Sequence, residues 1–379
     1  MAIGMTASGL CAGTSLDGSV DALVVQADGR ILIGGGFTQV GGVPRDNLAR
    51  LHSNGSLDPG FVPHSGPASH IGGLAVQPDG SVIASANLHI GGSYEPHLFR
   101  LSSNGVVDAG FADISGNGLA AAIVVQPDGK VAIGGDFDRV GDQPHFNGAR
   151  INVDGTVDAA FTPFFARGNT GAVWTIGLQA DGKLLFGGEF PYVDSQRVFG
   201  LARLAFTGLL DSTFTWDSQF TNNLINAISL QPDGQILIGG GFATGGLTVT
   251  STLARLHADG STDVPFSTNA SLATLLDTRS MARLPDGRIL IGGFHGQGSQ
   301  HNVQRINADG TLDTAFHPVI NDMVQCLAVQ ADGKILIGGT FTQVNGAPLA
   351  YLARLNANGS TDPDFVVDGH DAIFGDGFD

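Results

Sequence analysis

Residues 324–365 read VQCLAVQADGKILIGGTFTQVNGAPLAYLARLNANGSTDPDF, and this stretch decides the fold. Two strand-length apolar runs flank Asp332-Gly333, and a loop then leads to a second pair of short segments around Asn358-Gly359. Asp-Gly and Asn-Gly between such runs are typical of tight hairpin turns, where φ is positive. Helical periodicity is absent. The stretch therefore predicts four short antiparallel strands.

The same unit occurs seven times along the chain. Its Asp-Gly turns begin at Asp28, Asp79, Asp128, Asp181, Asp233, Asp286 and Asp332. Each turn is followed by an R-[LI]-x-x-x-G-x-x-D-x-x-F pattern, which ends at Phe61, Phe111, Phe161, Phe214, Phe266, Phe316 and Phe365. A period near fifty residues indicates a repeat architecture.

Four antiparallel strands in each of seven repeats favour a β-propeller. Roughly ten residues separate one repeat from the next first strand, enough to return across a sheet four strands wide at about 4.8 Å per strand. We therefore expect an all-β, seven-bladed β-propeller with four-stranded antiparallel blades. Its expected parts are an N-terminal segment 1–19, a propeller 20–365 and a C-terminal tail 366–379. The repeats run approximately over 20–61, 71–111, 120–161, 173–214, 225–266, 277–316 and 324–365.

The first strand of each repeat has a position that is always small, occupied by Ala22, Gly73, Ala122, Thr175, Ala227, Ser280 and Cys326. A large apolar residue follows it in every repeat. Because strand faces alternate, this strand is predicted to be innermost, where space near the propeller axis is tight. The preceding position differs in every repeat, reading Asp21, Gly72, Ala121, Trp174, Asn226, Arg279 and Gln325. A ring of different side chains at the channel mouth would line an asymmetric pocket; drift at an unconstrained position is the alternative.

The repeat pattern resembles the bacterial delta-60 repeat family. The shared string is [LIV]-x-[VL]-Q-[PA]-D-G-[KR]-[IVL]-L-I-G-G-x-F, followed by [LI]-A-R-L-N-x-[DN]-G-[ST]-x-D-x-x-F, and the resemblance covers residues 20–365. Repeat 2 departs from it, with IASANL in place of IGGxF. The resemblance implies a propeller in an exported or surface protein, and it implies no common enzymatic activity.

Composition excludes several classes of partner. The net charge is −17, which disfavours nucleic acid, because nucleic-acid affinity depends mainly on cationic contacts with phosphate. No apolar stretch approaches the length of a membrane span. The start MAIGMTASGLCAG lacks the charged region of a signal peptide. Because the family resemblance implies export, we expect a secreted or cell-surface protein whose leader is absent from this chain. We also expect a monomer.

Two cysteines, Cys11 and Cys326, are too few for a disulfide scaffold or a structural zinc site. Cys326 is explained as one of the seven small residues, while a disulfide between the two remains an alternative. Lys130, Lys183 and Lys334 each follow a hairpin Asp-Gly and are interpreted as surface residues beside a turn.

One Arg-Asp pair recurs with a spacing of eight residues across the second hairpin, from Arg50/Asp58 to Arg354/Asp362. This spacing places the two charges opposite each other, where they stabilise a hairpin by roughly 0.2–1 kcal/mol. A calcium loop is the alternative, since Asn307-Ala308-Asp309-Gly310 and Asp313 resemble part of one. Its first ligand position is Arg in every repeat, however, and a guanidinium repels a cation. We expect no metal and no cofactor.

Binding residues are expected on the top face, which we define as the end carrying the second-to-third strand loops and the connections between repeats. Rigid scaffolds usually present binding residues on such loops. Aromatic residues concentrate there around repeat 4, which suits contact with a sugar ring or a peptide; filling gaps between blades is the alternative for Phe164 and Phe165. The candidate ligand-binding residues are Phe164, Phe165, Arg167, Trp174, Tyr192, Trp216 and Arg279.

For catalysis the best candidates are Asp136 and Glu189, which occupy the same Gly-Gly-x-Phe position in adjacent repeats. Adjacent sheets lie roughly 10 Å apart, near the upper end of the spacing for an inverting carboxylate pair. Two functions follow as hypotheses. One is non-catalytic recognition of a glycan or protein by the top face, as a binding or scaffold module. The other is a carbohydrate-active hydrolase or lyase that uses top-face carboxylates, assisted by His145 or Arg167.

Overall fold

The computed structural model describes residues 16–63, 68–90, 92–111, 114–166, 171–216, 220–244, 250–267, 277–295 and 302–368. Each repeat forms an antiparallel sheet, here called a blade and numbered by repeat. The inner strands are β1 (Val20–Val25), β6 (Ala68–Val76), β10 (Ala120–Val125), β16 (Val173–Leu178), β21 (Phe220–Leu230), β24 (Asp277–Arg283) and β27 (Val324–Val329).

Each inner strand pairs with a middle strand that carries the apolar-Gly-Gly sequence. The middle strands are β2 (Ile31–Gly35), β7 (Val82–Ile90), β11 (Val131–Gly135), β17 (Leu184–Gly188), β22 (Ile236–Thr244), β25 (Ile289–Phe294) and β28 (Ile335–Gly339). The third strands are β5 (Leu48–Leu51), β8 (Ser93–Leu101), β14 (Gly148–Ile151), β20 (Leu201–Leu204), β23 (Thr250–Leu256), β26 (Val303–Ile306) and β29 (Leu352–Leu355).

Short elements complete the described structure. Two-residue strands occur at β3 (Gln39–Val40), β4 (Val43–Pro44), β9 (Ile114–Ser115), β12 (Arg139–Val140), β13 (Gln143–Pro144), β15 (Phe165–Ala166), β18 (Tyr192–Val193) and β19 (Gln196–Arg197). A single helical turn, α1 (Val264–Ser267), is the one helix among the described residues. The all-β prediction is confirmed.

The prediction of four-stranded blades is not confirmed. The blade sheets contain three strands, except that β9 adds a fourth to blade 2. The fourth segment of each repeat makes one β-bridge to the third strand of its own blade, as Leu57 does to Leu51, and in repeat 1 Ser56 also bridges Asp368. The chain then turns, because Asp58 accepts hydrogen bonds from the backbone of Gly60 and Phe61. An aspartate that binds the backbone two residues on favours a turn over a continuing strand.

The seven inner strands contact one another in a ring. β1 contacts β6, and the contacts continue through β10, β16, β21, β24 and β27 back to β1. Blade 7 consists of β27, β28 and β29, all from its own repeat. The apolar core lies between neighbouring blades; Leu336 and Leu352 of blade 7 pack with Ile31 and Val20 of blade 1.

The recurring arginines join each blade to the next. Each Arg Nε donates to the predicted Asp, with Nε–Oδ2 distances of 2.6 to 2.8 Å. Its Nη1 donates to a main-chain carbonyl in the second hairpin of the next blade: Arg50 to Ser103, Arg100 to Val153, Arg150 to Phe206, Arg203 to Ala258, Arg255 to Ala308, Arg305 to Ala357 and Arg354 to Ser53. The last of these closes the ring with the same contact as the other six.

Each guanidinium also lies over the ring of the repeat's terminal Phe, at 4.2 to 4.8 Å from the ring centroid. Both oxygens of Asp58 are engaged, one by Arg50 and the other by the Gly60 amide. We call this recurring set of contacts the arginine clamp. It gives the Arg-Asp pair a structural role.

The three lysines beside the Asp-Gly turns are partly exposed and also form ion pairs. The Lys130 Nζ lies 2.7 Å from the Asp158 carboxylate, and Lys183 and Lys334 pair in the same way with the clamp Asp of their own repeats. Their side chains are only 28 to 33% exposed. The clamp carboxylates therefore receive a second cation in these blades.

Candidate functional site at the axial mouth

The position that differs in every repeat is a β-bulge in all seven blades. In blade 1, Val20 pairs with Gly35 and Ala22 with Gly34, so Asp21 has no partner in the ladder. The same shift leaves Gly72, Ala121, Trp174, Asn226, Arg279 and Gln325 without ladder partners. Bulges re-aim side chains and are frequent next to active sites.

The Gly-Gly pair of the middle strand makes room for this bulge. A Cβ on Gly35 would overlap the carbonyl oxygen of Ser19, the residue directly before the bulged strand. A Cβ on Gly34 would overlap Ile71 of the next blade. Blade 2, which lacks the pair, has Ser85 and Ala86 there, and the Ser85 hydroxyl instead accepts a hydrogen bond from the Ala120 amide of blade 3.

Six of the bulged residues line one cavity of about 310 Å³ on the propeller axis, together with all seven of the small residues that follow them. The prediction that the first strand of each repeat is innermost is confirmed. The seventh bulged residue, Gln325, donates a hydrogen bond from Nε2 to Oδ1 of Asp21 at 2.5 Å. We call the end of this cavity formed by the bulged residues the axial mouth. Its size lies at the lower end of the range for small-molecule pockets, roughly 300–1,000 Å³.

Asp21 is the hub of the first polar group at the mouth. Besides Gln325, its carboxylate contacts His70 Nε2 of blade 2 at 2.7 Å and Ser19 Oγ at 3.0 Å. The Asp21 side chain is 11% exposed, whereas that of His70 is 36% exposed. Three blades thus converge on one carboxylate, and the His70 ring remains partly exposed.

A second polar group lies at blades 5 and 6. Asp277 accepts a hydrogen bond from Asn226 Nδ2 at 3.0 Å and pairs with the Arg279 guanidinium at 2.8 Å. The Arg279 side chain is 43% exposed, so it has donors left for a ligand. Because Asp277 neutralises it, this group adds hydrogen-bond donors to the mouth without a net positive charge.

The remaining arc of the mouth is apolar. Trp174 of blade 4 is 38% exposed and lines the cavity. Gly72 and Ala121 occupy the equivalent positions in blades 2 and 3 and leave space beside it. Blade 4 stands across the ring from blades 7 and 1, so an aromatic wall faces the carboxylate group of Asp21.

Cys326 lies in the wall of the same cavity, and its Sγ contacts the Val20 carbonyl at 3.6 Å. Burial raises the pKa of its thiol, and the Asp21 charge raises it further. The thiol is therefore protonated at neutral pH. Cys11 lies outside the described residues.

The structure divides the other predicted aromatic residues into three groups. Phe164 and Tyr192 are exposed on the top face of blade 4. Phe165 is buried and packs against Phe186 and Phe190, so it belongs to the core and not to a ligand-contact surface. Trp216 is half-buried on the core of blade 5, its Nε1 donates to the Phe199 carbonyl at 3.3 Å, and it does not line the axial cavity.

The remaining predicted site residues that the structure describes do not line the axial cavity. Arg167 lies outside the described residues. Asp136 is exposed, Glu189 is half-buried, and neither lines the axial cavity; their catalytic role stays a prediction. His145 is buried, and burial lowers the pKa of its imidazole. The divergence between repeats indicated the ring of bulged residues but not their partners His70 and Asp277. Each partner is a titratable residue two positions before the bulge of its blade, and that pattern could have identified both.

Within the described ranges, no group of three or more His, Cys, Asp or Glu residues is arranged to hold a metal ion. The helix in those ranges is too short to span a membrane.

The repeats match the family described as "Domain of unknown function (DUF5122) beta-propeller" at residues 26–61, 77–111, 126–161, 179–214, 231–266, 284–316 and 330–365. The matches span more than half of the chain, which therefore belongs to this family. They confirm a propeller repeat family; the narrower delta-60 assignment stays a prediction. No curated protein matches the chain.

Several solved structures share low similarity with the chain. A protein of unknown function from Bacteroides caccae is 13% identical, with a TM-score of 0.39, over 75% of this chain and 92% of that one. PorZ, a surface component of the type-IX secretion system of Porphyromonas gingivalis, is 13% identical, with a TM-score of 0.46, over 88% of this chain and 46% of its own. The polysaccharide lyase Uly1 is 12% identical, with a TM-score of 0.43, over 90% and 91%. Similarity at this level assigns no activity to this chain.

Proposed function

We propose that this DUF5122 β-propeller is a non-catalytic binding module that recognises a glycan or a protein through its top face, with the axial mouth as the main contact. The observation that carries the proposal is the ring of seven β-bulges. The scaffold around the bulges is nearly uniform, whereas the residue that each bulge directs to the axis differs in every blade. We further propose that the protein acts in secreted or cell-surface form and as a monomer.

The chemistry of the mouth favours a glycan over a protein. A sugar presents a flat apolar face together with several hydroxyl groups, and an indole beside polar side chains matches both. Trp174 supplies the aromatic wall. Asp21 supplies an acceptor, and Arg279 supplies donors on another arc of the same cavity. A cavity of about 310 Å³ suits a small unit better than a protein loop.

Binding of a glycan array and isothermal titration calorimetry with the bound sugars test the proposal. Trp174→Ala is expected to weaken binding by about 2 kcal/mol, or about thirtyfold, because aromatic contacts often dominate a binding site. Its unfolding midpoint should stay near that of the wild type, since the side chain is partly exposed. A Trp174→Ala protein that binds as the wild type does would contradict the proposed site.

Trp216→Ala is the matched control. This indole packs on the core of blade 5, so its removal should lower the unfolding midpoint and leave the affinity unchanged. If Trp216→Ala lost affinity while Trp174→Ala kept it, the binding surface would lie away from the axis.

The second candidate function, a carbohydrate-active hydrolase or lyase, is favoured by the Asp21–His70 pair. A carboxylate that holds one ring nitrogen of a histidine orients the other nitrogen to accept a proton. The Nδ1 of His70 lies on the side of Gly72, which lines the cavity. Product formation from a panel of polysaccharides by the wild type, lost in His70→Gln, would establish this role. Binding without turnover in both proteins favours the non-catalytic module.

A further inference from the structure

Two blades extend well beyond the axial mouth. In blade 1 the inner ladder ends one pair past the bulge, at Val20 and Gly35. In blade 2 it continues past Gly72 to the pair Ala68–Leu88, and the ladder between β7 and β8 runs on to Ile90–Ser93. In blade 5 it continues past Asn226 to Phe220–Thr244. At about 3.3 Å per residue, the three residues that β6 and the five that β21 add beyond the end of the blade 1 ladder form backbone walls roughly 10 and 17 Å high.

The two walls stand on opposite sides of the mouth. The ring of inner-strand contacts places blades 3 and 4 between them on one side and blades 6, 7 and 1 on the other. The inner ladders of blades 1, 3, 4 and 7 end one pair past their bulges, and that of blade 6 ends two pairs past. The inner strands therefore leave a gap between the two walls that passes across the mouth, toward blades 3 and 4 on one side and toward blades 6, 7 and 1 on the other; we call this gap the trough.

Exposed aromatic side chains occupy the end of the trough at blades 3 and 4. Phe146, Phe164 and Tyr192 are each 38 to 41% exposed. The rings of Phe146 and Phe164 meet edge to face, with centroids 4.7 Å apart. Pairing of β15 with β18 holds the Phe164 segment beside Tyr192, and the Phe164 amide donates to Asp194 at 3.0 Å. Grouped exposed aromatics on a fixed backbone mark a contact surface; we call this group the aromatic patch.

Charge limits what can lie in the trough. The chain carries a net charge of −17, and the Arg279 charge at the mouth is already matched by Asp277. Asp21 adds a carboxylate to the cavity wall. A polyanionic chain would meet repulsion from the protein as a whole, and Arg279, the one cationic residue among the described residues that line the axial cavity, is already paired.

We infer that the ligand is an uncharged, extended glycan chain of several units, which places one unit against Trp174 at the mouth and further units along the aromatic patch. This inference rests on the proposed function and adds the length, direction and charge of the ligand. Stacking of successive rings on successive aromatic side chains gives an affinity that rises with chain length, because each added unit covers apolar surface.

Calorimetric titration with oligosaccharides of one to six units tests the inference. The probes are uncharged oligomers of glucose, mannose, xylose and galactose, with the galacturonate oligomers as the anionic comparison. For at least one uncharged series, affinity is expected to rise by about tenfold or more between the shortest bound oligomer and six units. Phe164→Ala and Tyr192→Ala should remove most of this gain and leave the affinity for the shortest oligomer unchanged. Trp174→Ala should weaken binding at every length.

Tyr94→Ala is the matched control, because Tyr94 is an exposed aromatic at the tip of the blade 2 wall and lies outside the aromatic patch. It should keep the full dependence on length. Affinity that does not change with length, or that is highest for the galacturonates, overturns the inference while leaving a binding site at the mouth. Failure of every probe to bind overturns the glycan proposal itself.

Discussion

Removal of a single arginine clamp should destabilise the whole propeller, and Arg354→Ala at the junction of blades 7 and 1 is the sharpest case. Arg354 donates to Asp362 at 2.6 Å, to the Ser53 carbonyl of blade 1, and lies over Phe365 at 4.8 Å. Its side chain is 6% exposed. All three contacts are lost together in the alanine variant.

The expected cost follows from these contacts. Removing one partner of a buried ion pair costs about 3–5 kcal/mol, and the lower end applies because Lys334 still pairs with Asp362 at 2.7 Å. The unpaired Ser53 carbonyl adds about 1 kcal/mol, and the lost contact with the Phe365 ring adds about 1 kcal/mol. We expect a loss of about 5 kcal/mol in the free energy of unfolding. Arg354→Lys keeps the charge but not the planar fork, so it should lose about half as much.

Equilibrium unfolding in urea, followed by far-ultraviolet circular dichroism, measures this loss. Arg203→Ala should lower the free energy of unfolding by about the same amount, because Arg203 makes the same three contacts between blades 4 and 5. In a closed ring, the contact between blades 7 and 1 is equivalent to the other six. Arg139→Ala is the control; within the described ranges the side chain of this exposed arginine pairs with Gly141 and Asp142 of its own loop, and its loss should cost less than about 1 kcal/mol. An Arg354→Ala protein as stable as the wild type, or an Arg139→Ala protein equally damaged, would refute the clamp.

Two further predictions concern acid stability and the middle strand. Burial disfavours the ionised form of Asp158, but hydrogen bonds from Lys130, the backbone and Arg150 outweigh it and lower its pKa to about 2. The ionised carboxylate therefore stabilises the fold fully above about pH 4, and this stabilisation is lost as the pH falls toward about 2. In urea titrations, the difference in unfolding free energy between the wild type and Asp158→Asn should shrink over that interval. A difference that does not change with pH contradicts the lowered pKa of Asp158. Gly240→Ala should cost about 3 kcal/mol, because the added Cβ overlaps the Leu224 carbonyl, whereas Gly241→Ala, with open space at that point, should stay within about 0.5 kcal/mol. Thermal melts of the two glycine variants distinguish them, and equal midpoints would show that the bulge adapts.

Local sequence patterns predicted the elements of the fold but not how far each one continues. The Asp-Gly and Asn-Gly turns and the Arg-Asp spacing act within one hairpin, and the structure confirms both. The expected length of the fourth strand was too great because Asp58 and its equivalents were interpreted only as ion-pair partners of arginine. Each of them also accepts a backbone hydrogen bond that turns the chain. Contacts between blades depend on the angle between sheets, which no local pattern encodes. The presence of Arg, and never Lys, at this position in every repeat could have indicated the clamp, because only the planar guanidinium presents several donors in a fixed arrangement.

The candidate site was predictable in position but not in composition. Divergence at Asp21, Trp174 and Arg279 pointed to the channel mouth, and the structure brings these residues to one cavity. Phe165 and Trp216 were grouped with them by sequence proximity and aromatic character, yet they pack against blade cores. Aromatic residues serve cores and binding sites equally well, and only burial separates the two uses.

The seven bulges make this protein a scaffold for engineered recognition. A bulged residue has no ladder partner, so its replacement leaves the strand pairing intact, and six of the seven natural side chains already range in size from Gly72 to Trp174 within one cavity. A library varied only at the seven positions would sample pockets of different shape and charge on one fixed backbone. Such a library needs no change to the glycines, the clamps or the turns that hold the ring together.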